Sequence, residues 1–128
     1  MTGLTKAVLI VEDERLIAMG LSAQIEDMGL EVCATADTAE SAVAKAQLFR
    51  PAIILMDVRL RGDQDGIDAA LAIYESVGSK IIFITGSREQ ATIDRISMDH
   101  PFATLFKPIS HRQLENTVGE AMAAAGHA

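Results

Sequence analysis

Four short apolar runs punctuate the chain: AVLIV (7–11), AIILM (52–56), KIIFIT (80–85) and FATLF (102–106). Unbroken apolar runs of this length predict strands buried on both faces, which is the habit of parallel sheets. A fifth run, EVCATA (31–36), alternates apolar and polar positions and predicts an edge strand. Between the runs the apolar spacing changes to three and four residues, the period of a helix with one buried stripe. Ile17, Leu21, Ile25 and Met28 form the first stripe, closed by Gly29. Asp37 with Glu40 predicts the cap of a second helix, whose apolar face is Ala39, Ala42, Val43 and Ala46 and which Pro51 ends. A third helix carries Ile67, Ala70, Leu71, Tyr74 and Val77 and stops at Gly78. A fourth is predicted to start at Ser87 with Gln90 and to stop before His100-Pro101; its anchors are Ala91, Ile93 and Ile96. The fifth starts at Ser110 with Gln113 and buries Leu114, Val118, Ala121 and Met122, leaving AMAAAGHA as a fraying end.

Strands alternating with helices imply right-handed βαβ units. The expected fold is therefore α/β, a doubly wound five-stranded parallel sheet with helices on both faces. Residues 1–128 contain no linker, repeat or low-complexity stretch, so one domain is expected. Two connections are longer than a turn needs, VRLRGDQDG after the third strand and GSREQ after the fourth. Both leave carboxyl ends of strands, where open α/β sheets place their sites.

Composition narrows the function. The chain is 49% apolar and 4% aromatic without tryptophan, so the core is aliphatic. Its formal net charge of -7 offers no basic patch for phosphate backbones, which argues against a nucleic-acid partner. No apolar run is long enough to span a membrane and the start has no signal-peptide order, so a cytoplasmic location is expected. Cys33 is alone, which excludes a disulfide framework and a cysteine zinc site and leaves a small buried strand residue. His100, His111 and His127 fall at helix ends or in the tail and read as solvated or capping; the six methionines read as core filling.

The remaining polar residues converge. Glu12 and Asp13 follow the first strand, Asp57 the third and Lys107 the fifth, and Thr85 ends the fourth. A parallel sheet gathers all five at one edge. Three acids packed together repel one another unless a cation joins them, and hard oxygen ligands at that density suit Mg²⁺. An acid, a Mg²⁺ site, a lysine and a hydroxyl compose a phosphoryl-transfer site with Asp57 as its nucleophile. Taken singly, each has a plainer reading. Glu12 and Asp13 would favour a helix dipole, Thr85 would be a strand residue and Lys107 a surface lysine. Their common placement outweighs these readings. DQDG (63–66) fails as a calcium loop, because Arg61 and Ala72 would hold the first and twelfth ligand positions. No glycine-rich phosphate loop follows the first strand.

The motifs VLIVEDE (8–14), ILMDVRL (54–60), FITGS (83–87) and LFKP (105–108) together resemble the receiver domain of two-component response regulators, over almost the whole chain. The resemblance implies a flavodoxin-like sheet in the order 2-1-3-4-5. It implies that Asp57 accepts a phosphoryl group from a phosphohistidine on a sensor histidine kinase or phosphotransfer protein, with a downstream protein as target. It implies Mg²⁺ held by Glu12, Asp13, Asp57 and the backbone carbonyl of Arg59. It also implies Thr85 and Lys107 on the phosphoryl oxygens, a cis bond before Pro108, and signalling through helix four, strand five and helix five. Such a domain is a phosphoacceptor and not a turnover enzyme. Two positions depart from the pattern. Thr104 stands where receivers carry a Tyr or Phe switch coupled to Thr85, and Gly86 stands where alanine is usual. PFATLFKP (101–108) also resembles a variant of the Phe-Ala-Thr-Gly signature of an alphaproteobacterial subfamily, with Leu105 in place of the glycine; that subfamily pairs with HWE-class kinases.

Two other classes are compatible with these residues. A Mg²⁺-dependent phosphatase of the haloacid-dehalogenase type also uses an aspartate nucleophile, but places it after the first strand with a second aspartate two residues on, where this chain has Arg59. A pseudo-receiver that only binds partners is the other.

Overall fold

The computed structural model describes residues 3–127. Five strands, β1 (Thr5–Val11), β2 (Glu31–Ala36), β3 (Pro51–Asp57), β4 (Lys80–Thr85) and β5 (Ala103–Phe106), form one sheet. Every pairing is parallel and the order is β2-β1-β3-β4-β5, so β2 lies at an edge as its alternation predicts. Helices α1 (Arg15–Asp27), α2 (Ala39–Phe49), α3 (Gly66–Ser76), α4 (Gln90–Ser97) and α5 (His111–Ala124) connect and cover it.

The strand alternation divides the core in two. Val8, Ile10, Ile53, Leu55, Ile82, Ile84 and Leu105 face Ala18 and Ile25 of α1 and Leu114, Val118, Ala121 and Met122 of α5. Leu9, Val11, Ile54, Met56, Ile81 and Phe83 face α2, α3 and Ile96 of α4. All seven residues of β3 are buried. Burying each large aliphatic side chain contributes roughly 1.5–3 kcal/mol, so β3 is the most firmly held strand, and it carries Asp57 at its end.

Several helix details differ from expectation, each for a local reason. The cap of α2 is Thr38, not Asp37; its Oγ1 accepts from the Ser41 amide. Helix α4 begins at Gln90 with Glu89 as its cap. Ser87 does not cap it, because its Oγ accepts from the Glu89 amide and forms a tight turn instead. Of the three expected α4 anchors, only Ile96 is buried, while Ala91 is exposed. In α3 the buried residues are Gly66, Ile67, Ala69, Ala70 and Ile73, while Leu71 and Tyr74 face solvent. Ile17 is exposed at the start of the α1 stripe. Met19 and Met98 are exposed as well, so core filling holds for Met56 and Met122 and not for all six. Cys33 is half-buried and directs its thiol at the Val8 carbonyl oxygen. Among the described residues no helix is long and apolar enough to cross a membrane.

Candidate phosphoacceptor site

The carboxyl ends of β1, β3, β4 and β5 open into one cavity of about 780 Å³. Its walls include Glu12, Asp13, Asp57, Arg59, Thr85 and Lys107, the six residues expected there. Each is placed by the strand before it. Glu12 continues β1, and its amide donates to the Ala36 carbonyl oxygen of β2. Asp57 is the last residue of β3 and pairs in register with Ile84 of β4. The Lys107 amide donates to the Thr85 carbonyl oxygen at 2.9 Å, which ties the end of β5 to that of β4. The Lys107–Pro108 peptide is cis.

Glu12 and Asp57 are buried, Asp13 is half-buried, and carboxylate oxygens of all three lie within 4.8 Å of one another. Lys107 Nζ sits 3.6 Å from Glu12 Oε1 and 3.7 Å from Asp57 Oδ1, between the two acids. Burial pushes the Glu12 carboxyl up to about 7, and the neighbouring Asp57 adds to this; the Glu14 amide, donating to Oε2 at 3.1 Å, opposes it. Burial also raises Asp57, against the pull of Lys107. The adjacent Arg59 backbone opposes that rise as well. One lysine thus leaves three converging acids under-compensated. Hard oxygen donors with an unmet need for positive charge fit Mg²⁺.

Thr85 is buried, and its Oγ1 accepts from the Ser87 amide, which aims the β4–α4 turn into the cavity. Thr104 of β5 lies away from the cavity wall, beside Phe83 in register.

Sequence reasoning missed Gly66. It is buried at the start of α3, and its amide donates to the Val58 carbonyl oxygen at 2.7 Å. A Cβ there would collide with the Asp57 carbonyl oxygen and sit 3.0 Å from the Asp57 carbonyl carbon and Met56 Cγ. Helix α3 therefore abuts the backbone of Asp57 itself. Asp65 caps that helix by accepting from the Ile67 and Asp68 amides, and the Asp68 side chain returns a bond to the Asp65 amide. Arg95 of α4 clamps Asp65 at 2.7 Å. A DG dipeptide hints at a turn, but no local signal announces either contact.

Comparison with known proteins agrees with this geometry. The family model described as response regulator receiver domain matches residues 8–119. The transcriptional regulatory protein PdtaR of Mycobacterium tuberculosis is 34% identical over 105 residues, covering 82% of this chain and 51% of that protein. The phyllosphere-induced regulator PhyR of Methylorubrum extorquens is 39% identical over 84 residues, covering 65% of this chain and 32% of that protein. The chain thus spans about half or less of the length of these curated relatives. Among solved structures, the signal receiver domain of a modulated diguanylate cyclase from Desulfovibrio desulfuricans superposes with a TM-score of 0.88 at 37% identity, covering 94% of this chain and 95% of that one. By sequence, fold and the residues gathered at its sheet edge, this chain belongs to the response regulator receiver domain family of two-component signalling.

Proposed function

We propose that Asp57 accepts a phosphoryl group from a phosphohistidine on a sensor histidine kinase or a phosphotransfer protein. The observation that carries this reading is the Asp57 carboxylate on a rigid strand end, 3.7 Å from Lys107 and within 4.8 Å of Glu12 and Asp13, open to an external donor. An Asp57 oxygen forms a bond to phosphorus while the phosphorus–nitrogen bond breaks and its electron pair leaves with the imidazole. The product is an acyl phosphate. Glu12, Asp13, Asp57 and the Arg59 carbonyl would hold Mg²⁺, which when bound neutralises charge on the phosphoryl oxygens. Lys107 supplies a second positive charge and Thr85 a hydroxyl donor at the same oxygens.

The phosphoryl group on Asp57 then alters the face made by α4, β5 and α5, which meets a downstream protein in the cytoplasm. Helix α4 suits this task, since Ile96 is its one buried residue. The chain acts as a signalling unit and not as a turnover enzyme. Incubation with Mg²⁺ and acetyl phosphate or phosphoramidate, followed by intact mass, tests the reading. A single phosphoryl adduct in the wild type, absent from Asp57→Asn, supports it. Rapid multiple turnover of unrelated phosphomonoesters would point to a phosphatase, and no adduct from any donor to a pseudo-receiver.

A further inference from the structure

Without an aromatic at position 104, something else must report the state of Asp57. Leu105 of β5 packs into the core beneath α1 and α5. Strand alternation therefore turns its neighbours, Thr104 and Phe106, to the opposite face of the sheet. There they lie beside Phe83 and Thr85 respectively. Phe106 is thus the aromatic that neighbours the Thr85 hydroxyl strand, two residues further along the face on which the usual switch would stand. Its half-buried ring is covered by Arg88, whose guanidinium carbon lies 4.4 Å from the ring centroid. Phe102 does not fill this role, because it packs against the α1 and α5 side of the core.

Arg88 also lines the cavity that holds Asp57 and Lys107, and it lies two residues before α4. Its guanidinium is exposed and always charged. We propose that Arg88 and Phe106 form the phosphoryl sensor of this receiver: Arg88 rests on Phe106 while Asp57 is free, and moves to the phosphoryl oxygens once Asp57 is modified. The inference rests on the assignment of Asp57 as the phosphoacceptor. A charge-assisted bond from a guanidinium to a phosphoryl oxygen is stronger than a cation–π contact at a half-buried ring, so the transfer runs in this direction. It uncovers the Phe106 ring and draws on the turn that leads into α4. Arg88 is here a positioning residue that competes between two partners, and the competition carries the signal.

The test uses beryllofluoride with Mg²⁺ as the phosphoryl mimic and nuclear magnetic resonance of the Arg88 Nε–Hε group and the Phe106 ring. In the wild type both signals are expected to move together along one titration. Phe106→Leu removes the competing partner, so beryllofluoride should bind about two- to fivefold more tightly. Arg88→Ala, an exposed substitution that leaves the fold in place, should weaken it about three- to tenfold. Arg88→Lys should recover most of the affinity while losing the coupled movement of the Phe106 ring. A wild type that binds the mimic with Arg88 and Phe106 signals unmoved, or unchanged affinity in both Phe106→Leu and Arg88→Ala, would overturn the sensor and leave the phosphoacceptor reading standing. A wild type that binds no mimic would overturn both.

Discussion

Replacing Gly66 by alanine places a methyl group on the backbone of Asp57. The new Cβ would overlap the Asp57 carbonyl oxygen and crowd the Asp57 carbonyl carbon and Met56 Cγ, each at 3.0 Å. Neither side can yield cheaply. Asp57 is held in the β3–β4 ladder opposite Ile84, and β3 is buried along its whole length. Gly66 is pinned by its 2.7 Å bond to the Val58 carbonyl oxygen and by the Asp65 cap. Alanine favours a helix over glycine by roughly 0.5–1 kcal/mol, but overpacking a tight contact costs about 1–3 kcal/mol, so a net loss of about 1–2 kcal/mol is expected. Relief by shifting the end of β3 would also misplace the carboxylate, and a displacement of about 1 Å can cost on the order of 100-fold in rate. Gly119→Ala supplies the control, since a Cβ there meets nothing within 4 Å on an exposed face of α5; it should gain about 0.5–1 kcal/mol. Urea unfolding gives both stabilities, and the rate of adduct formation from phosphoramidate gives the functional effect. A Gly66→Ala protein as stable as Gly119→Ala, phosphorylated at the wild-type rate, would show that the Gly66–Asp57 contact does not constrain the site.

Asp99 provides a pH prediction. It is buried with neither carboxylate oxygen hydrogen-bonded, and burial pushes its carboxyl up to about 6, with Asp68 and Asp65 raising it and His100 and Arg95 lowering it. Because the folded value lies above the unfolded one, folding favours the protonated form, and this group's contribution falls as pH rises from about 4 to 6. Asp99→Asn should flatten that dependence and recover up to about 3 kcal/mol at pH 8; a stability–pH curve parallel to that of the wild type would contradict this. Lys107→Ala should leave the fold intact, since its side chain is 35% exposed, while phosphorylation of Asp57 no longer alters the α4–β5–α5 face. Normal partner switching in that variant would count against it. Beryllofluoride should change backbone hydrogen exchange across residues 87–109, where α4 is weakly anchored; unchanged protection there would sink the switching face.

The sheet was largely legible in the sequence, because strands buried on both faces must be apolar throughout. Asp57, Glu12, Asp13, Thr85 and Lys107 were legible for the same reason, since each is a polar residue at the end of such a run. Helix faces were less so. In α3 apolar residues surround the axis, and only tertiary packing decides that Ile73 is buried and Leu71 exposed. Ser87 and Gln90 match a capping pattern, yet the β4–α4 turn uses Ser87 before the helix begins. Gly66 against Asp57, Arg95 on Asp65 and Arg88 on Phe106 join residues distant in the chain. No periodicity encodes such pairs.

Asp57 is proposed as the phosphoacceptor. Its most direct test is to phosphorylate the protein with phosphoramidate and Mg²⁺, trap the acyl phosphate by hydride reduction, and sequence the peptides by mass spectrometry. Reduction is expected to convert position 57 alone to the alcohol, and only when both the donor and Mg²⁺ were present. Modification at any other residue, or an adduct that persists in Asp57→Asn, would contradict it.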